Sequence, residues 1–369
     1  MRVGLKLLIG IACTVCAVTP LRAQKKAGYG ICAAFGTNGS FAKAKISGSR
    51  LAVEITPLSG SSLKLEMPLV LSGDKCHAFY SKDEDLVAIS IEDTLRPKAA
   101  VQVAVADIQT ARWLQSAPYA ATVAEDARGP LVGFLGATHT LLIVSSGTFF
   151  PAEERSLLYP VMIDLPQGTV HVGMLGFRGP AFNGSSGTVD PGNRRIWFST
   201  KDDGCGLGSQ ILGEKDEVKP GPSVRGNQLR AAGCFHTEQI LAISDSQLMV
   251  GFSQANEYKV SAVVAGSGTL ESATLKATGR EGFRKPLATA VASGGNVAAI
   301  QFARFDDTHF GIKRSADEIV VFTGAPFTLT STLRISEGSQ LLAIGNNRGL
   351  ISIAVADKHG NVSILKAEK

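Results

Sequence analysis

Short apolar runs alternate with turn-forming residues along the chain, and helical periodicity is almost absent. β-Branched segments, most of them four to six residues long, recur at 51–56, 86–91, 101–105, 141–144, 195–199, 260–264, 318–322, 350–355 and 361–365. Gly, Asn, Asp, Ser or Pro bound most of them, which is the pattern of strands joined by tight turns. An all-β sandwich, barrel or propeller is predicted.

A longer period selects among these. One unit recurs: a strand, a turn containing Asp or Gly, then a second strand rich in Thr and Leu. It opens at Val101, with Asp107-Ile-Gln-Thr110 as its turn, and at Val161, with a turn from Asp164 to Gly168. Lys259 and Glu318 open further copies, and Leu51, Ser209 and Asn361 weaker ones. The seven starts are 43 to 60 residues apart. All-strand repeats of roughly this length are propeller blades, about 40–50 residues each. Residues 24–369 therefore make one β-propeller domain of seven four-stranded blades. Each blade sheet has two apolar faces, and radial stacking buries both. The last strand signals, at 340–344, 350–355 and 361–365, number three. Residues 30–35 are expected to supply the fourth, so that N- and C-terminal strands pair and close the ring.

Residues 1–23 read as a signal peptide. Arg2 and Lys6 form its positive start, Leu7 to Val18 its apolar run, and Ala23 the small residue before Gln24. The run is too short to cross a membrane, which takes about 20 apolar residues. No later segment holds 18 apolar residues in a row, so no integral membrane segment is expected after cleavage. The net charge of +5 owes most to Arg2, Lys6 and Arg22; without them 34 basic residues face 32 acidic ones. That near balance argues against a nucleic-acid partner.

Cys32, Cys76, Cys205 and Cys234 follow the leader. An even number in an oxidising compartment suits disulfides, and four cysteines allow three pairings. Cys32–Cys76 with Cys205–Cys234 closes the shorter loops and is preferred. The expected location is the periplasm or the cell exterior, and the expected state is a monomer.

At Asp107-Ile-Gln-Thr110 the chain resembles the D-x-x-T-G hairpin of WD40-like and YVTN-type bacterial β-propellers, with Ala111 in the place of glycine. Gly187-Thr-Val-Asp-Pro-Gly192-Asn-Arg-Arg-Ile-Trp197 is similar to their D-P-D-G-x-x-x-W/Y entry to a second strand, with Gly192-Asn193 for Asp-Gly. The Trp-Asp dipeptide is absent. The resemblance implies a protein- or ligand-binding surface, with lactonase-type enzymes among the relatives.

The chemistry-bearing motifs are few. There is no Gly-x-Ser-x-Gly elbow and no phosphate-cradling Gly-x-x-x-x-Gly-Lys-Ser/Thr. Two tryptophans and 7% aromatic residues argue against a quinone cofactor or an aromatic-lined sugar site. The first reading is a non-catalytic binding scaffold without a cofactor. Its binding surface is expected on two long loops, 202–232 and 304–317. The alternative is a metal-assisted hydrolase or lactonase in the central channel, using a divalent cation such as Ca or Zn to activate water. Its candidate residues are His77, His236, Asp306, Asp307 and His309.

Overall fold

The structure, a computed structural model, describes residues 30–70, 73–81, 83–93, 100–122, 131–135, 140–150, 155–165, 167–172, 175–178, 187–190, 195–199, 205–212, 218–235, 237–242, 247–254, 257–264, 270–275, 281–309, 311–324 and 327–367. The expected leader lies outside the described residues.

Among the described residues, seven antiparallel sheets follow one another along the chain. The first holds β1 (Ile31–Phe35), β2 (Phe41–Ser47), β3 (Arg50–Thr56) and β4 (Leu63–Pro68). The second holds β5 (Lys75–Tyr80), β6 (Leu86–Glu92) and β7 (Ala100–Asp107), with β8 (Arg112–Trp113) and β9 (Tyr119–Thr122) both on the outer edge of β7. The third holds β10 (Leu131–Leu135), β11 (Thr140–Phe150) and β12 (Arg155–Asp164), with β13 (Thr169–Val172) and β14 (Leu175–Arg178) both on β12. The fourth holds β15 (Gly187–Asp190), β16 (Arg195–Ser199), β17 (Leu207–Leu212) and β18 (Val218–Pro220). A short helix, α1 (Gly226–Ala231), lies on the way to the fifth, which holds β19 (Gln239–Ala242), β20 (Gln247–Gln254), β21 (Glu257–Val264) and β22 (Leu270–Leu275). The sixth holds β23 (Glu281–Val291), β24 (Val297–Thr308), β25 (Gly311–Gly324) and β26 (Phe327–Ile335). The seventh holds β27 (Gln340–Asn347), β28 (Leu350–Ala356) and β29 (Val362–Ala367).

Why these residues form these sheets is clearest in the middle strands. A second strand has a neighbour on each side, and many second and third strands have a packed sheet on each face. A strand packed on both faces reads as a continuous apolar run. β6, Leu-Val-Ala-Ile-Ser-Ile-Glu, is buried throughout. Every start of the sequence repeat falls on or immediately before a third strand: β3, β7, β12, β17, β21, β25 and β29.

The sheets stack face to face in chain order. Leu51, Val53 and Ile55 of the first meet Val87, Ile89 and Ile91 of the second. Val101, Val103 and Val105 then meet Phe134 and Ile163 of the third. β10 lies against β15. Trp197 and Leu207 of the fourth pack on Leu248, Val250 and Phe252 of the fifth. Met249 and Val260 pack on Ile300 and Phe302 of the sixth. Ile319 and Val321 pack on Ile351 and Ile353 of the seventh. Finally Ala33 and Phe35 of the first pack on Ala343 and Ala354 of the seventh. This is β-propeller architecture.

Closure differs from the expectation. Residues 31–35 form the first strand of their own sheet, where Cys32 pairs with Ala44 on β2. They meet the last sheet through side chains. The seventh sheet keeps three strands among the described residues, and its missing position is the outer one, beside β29. The long loop expected at 304–317 is also corrected. It is a two-stranded extension of β24 and β25, with Asp306 opposite Lys313 and Asp307 opposite Ile312. The 202–232 segment likewise contains β17, β18 and α1.

Strand alternation gives the molecule two ends. Connections between sheets and turns between second and third strands share one, the linker end. Turns between first and second, and between third and fourth, share the other, the turn end.

Candidate functional site

At the turn end, turns of the first, second, sixth and seventh sheets are bonded to one another. The Glu84 carboxylate, in the β5–β6 turn, accepts hydrogen bonds from Thr37 Oγ1, from Asn38 N at 2.8 Å and from Ser40 Oγ at 3.3 Å, all in the β1–β2 turn. From the seventh sheet, Asn347 Nδ2 donates to Asn38 O at 3.1 Å. From the sixth, Ser293 Oγ donates to Phe35 O at 2.5 Å. Glu84, Asn296 and Arg348 in these turns, with Ala111 in the β7–β8 turn, all have positive φ. The strain is held by the mutual grip of neighbouring turns.

The linker end is built differently, and it carries every candidate residue that the sequence singled out and the structure describes. His77 lies on β5 of the second sheet, with Lys75 two residues before it on the same face. Asp306 and Asp307 lie on β24 of the sixth, and His309 follows in the turn, exposed. His236 lies outside the described residues. Among the described residues no three His, Cys, Asp or Glu side chains form a group able to hold a metal ion.

His77 does have one close partner that the sequence left unmarked. Its Nε2 lies 3.7 Å from Oε1 of Glu92, the last residue of β6. Register puts His77 opposite Ser90 and Lys75 opposite Glu92, so all four share one face of the sheet. Burial pushes the Glu92 carboxyl up to about 7, with Lys75 opposing and Asp74 adding to the rise. Desolvation, then Lys75, lowers the His77 imidazole from its ordinary range, but only slightly, because 67% of its side chain is in solvent. The signal for Glu92 was present: a carboxylate ends a run that is otherwise buried on both faces. Ser90, fully buried and without a hydrogen-bond partner for its hydroxyl, is shielded from solvent and unsuited to act as a nucleophile.

The sixth sheet carries a second charged group. Buried Glu318 pairs with Arg284 Nε and lies 3.6 Å from Arg304. Buried Asp317, pointing to the other face, accepts from Arg314 Nε at 3.0 Å and from Gly338 N at 3.2 Å. These pairs let polar strands extend past the core: β24 is buried from Val297 to Ala303 and then becomes progressively exposed to Thr308. The resulting arm presents Ile312, 59% exposed, at its tip. In the link between the fourth and fifth sheets, Phe235 is 90% exposed. It is fixed by the Cys205–Cys234 disulfide beside it and by α1, whose Leu229 is buried against both cysteines. Cys32–Cys76 is the second disulfide, linking the first strands of the first two sheets. Both pairings are those expected, and they suit an oxidising compartment.

No family model matches the chain, and no curated protein does. Solved structures do. One, from a study of two prolyl endopeptidases and of inter-domain dynamics in their catalysis and specificity, aligns at a TM-score of 0.44 and 12% identity, over 92% of this chain and 48% of that one. The chain thus spans about half of that protein's length. The β-propeller domain of the Trilobed protease from Pyrococcus furiosus, described as having an open velcro topology, aligns at 0.42 and 10% identity, over 92% of this chain and 95% of that domain. An uncharacterised protein from Listeria monocytogenes aligns at 0.44 and 10% identity, over 91% and 94%.

Proposed function

We propose that this is an exported, non-catalytic binding scaffold, a seven-bladed ring closed by packing of its first blade on its last, which uses the linker end as its binding surface. One observation carries the reading. On the sixth sheet the backbone continues as paired strands beyond the buried core and ends in exposed Asp307, Thr308, His309 and Ile312. Ordering a polar hairpin in solvent costs conformational entropy without burying a core. Such projections are where rigid scaffolds place their contacts. The turn end offers less, because its carboxylate and amide groups are already engaged with one another.

The test is site-specific photocrosslinking in the exporting cell. A photoreactive residue at Ile312 or Phe235 is expected to give a discrete crosslinked species, and one at Leu58 or Asp83 on the turn end none. Crosslinks from the turn end alone would overturn the assignment of the surface. Export is tested by the mass of the mature protein, expected to begin at Gln24.

A further inference from the structure

Three large apolar side chains stand out from the linker end on separate connections. Val70, between the first and second sheets, is 61% exposed; Phe235 lies between the fourth and fifth, and Ile312 at the tip of the sixth-sheet arm. They come from different sectors of the ring. A protein interface is organised around a contiguous, desolvated centre with its anchors clustered. Scattered apolar tips do not provide one. They do suit a surface that takes each side chain separately, as the boundary between lipid headgroups and acyl chains does.

Charge points the same way. Lys75, Arg225, Arg230, Lys313 and Lys358 are exposed at the linker end, against exposed Asp307 and Glu337. Arg50 and Glu66 are also exposed there, and they pair with each other at 3.1 Å. Counted in the same way, the turn end has a smaller surplus, exposed Arg112 and Arg348 against exposed Asp83. It has its own exposed apolar residues, Leu58 and Leu350, beside fewer cations. Apolar tips with cations around them match an anionic lipid surface, where basic groups are attracted to the headgroups and aromatic rings settle at the interface.

We infer that the linker end docks on an anionic membrane surface, with Phe235 and Ile312 as the inserting side chains and the surrounding lysines and arginines on the headgroups. The inference rests on the linker end being the binding surface and names its partner. Phe235 is well suited to the task because disulfide and helix hold it outward; no chain ordering is needed when it inserts.

The experiment uses the mature protein and sedimentable vesicles of phosphatidylethanolamine with a minority of phosphatidylglycerol, beside vesicles of phosphatidylcholine alone. Binding is expected to the first and to be lost in high salt. Phe235→Ser and Ile312→Ser are each expected to weaken it about tenfold, the scale set by withdrawing one partly buried large apolar side chain. Leu58→Ser on the turn end serves as the control and leaves it unchanged. In Phe235→Trp, tryptophan emission is expected to move to the blue on adding anionic vesicles and to be quenched by brominated acyl chains. Equal binding to both vesicle types, no effect of either serine variant, or an unshifted Trp emission overturns the inference. A protein crosslinked at Ile312 without any vesicle binding sinks the lipid partner but leaves the scaffold reading standing.

Discussion

His77 Nε2 and Glu92 Oε1 face each other at 3.7 Å across the first two strands of the second sheet, yet their acidities are displaced so that they are not charged together. Glu92 titrates near 7 when folded against 4.5 when not, so the folded state holds this proton more tightly. The stability linked to it is complete below pH 4.5 and is lost as the pH rises through 7. Glu92→Gln keeps the shape without the titration. It is expected to match the parent at pH 4 and to exceed it by about 3 kcal/mol at pH 8. Urea unfolding across this range checks it, and a Glu92→Gln offset that is the same at every pH sinks the account.

Ala111 stands in a position that a neighbouring sheet gives to glycine. In the β12–β13 turn Gly168 follows Asp164 by four residues and has φ +71. In the β7–β8 turn Ala111 follows Asp107 by four residues and has φ +53. Asp107 Oδ1 accepts from Gln109 N at 2.8 Å and Thr110 N at 3.0 Å, which fixes the turn and leaves Ala111 the left-handed residue. A Cβ there costs about 1 kcal/mol. Ala111→Gly is therefore expected to raise the denaturation midpoint and Gly168→Ala to lower it by a similar amount. The same sign for both would show that these two turns are not equivalent.

How much of this was legible follows from strand position. The nine apolar runs in the sequence all fall on second or third strands, where burial on one face or both writes the signal; β6 is buried throughout, whereas β3 alternates and the edge strand β29 is mostly exposed. Fourth strands are short, as Val218–Pro220 is, split, as β8 and β9 are, or largely exposed, as β26 is, and leave little trace. The arm was misread as a loop because its partners are ionic: Arg284, Arg304 and Arg314 reach Glu318 and Asp317 only once the strands are side by side. Closure is hidden in the sequence for another reason. Counting three final strands shows that one is missing, but not that the empty place is at the outer edge and that residues 31–35 have partners of their own. His77 was visible as a residue type, whereas Glu92 became its partner only through the pairing of β5 with β6.

Gly36 and Glu84 act as one unit. A Cβ on Gly36 would sit 2.3 Å from Ser40 Oγ and 2.5 Å from Glu84 Oε2. Gly36→Ala must therefore expel the carboxylate from the β1–β2 turn, and Glu84→Ala removes it outright. Each loses the same hydrogen bonds to Thr37, Asn38 and Ser40, for a cost of about 1–3 kcal/mol. The double variant is expected to be scarcely less stable than the worse single one, because residues sharing one network are not additive. Full additivity in a double-mutant cycle would separate the two effects and refute the common staple.

The Cys205–Cys234 bridge spans 29 residues and closes the link that carries α1 and Phe235. Chain entropy assigns a loop of this size about 3–4 kcal/mol. The loss should be felt first in the link itself. Leu229 packs on both cysteines, and Cys234 N donates to Leu229 O at 3.0 Å, so the bridge and the helix support each other. Arg225 and Arg230 are exposed on either side of Leu229. In the paired Cys205→Ser, Cys234→Ser variant, brief trypsin treatment is expected to cut after Arg225 or Arg230 well before the rest of the ring is attacked. The parent should resist under the same conditions. Mass spectrometry of the fragments decides. Cleavage spread evenly over the chain would mean that the bridge stabilises the whole ring, and uncut product would mean that the packing of Leu229 alone holds the link.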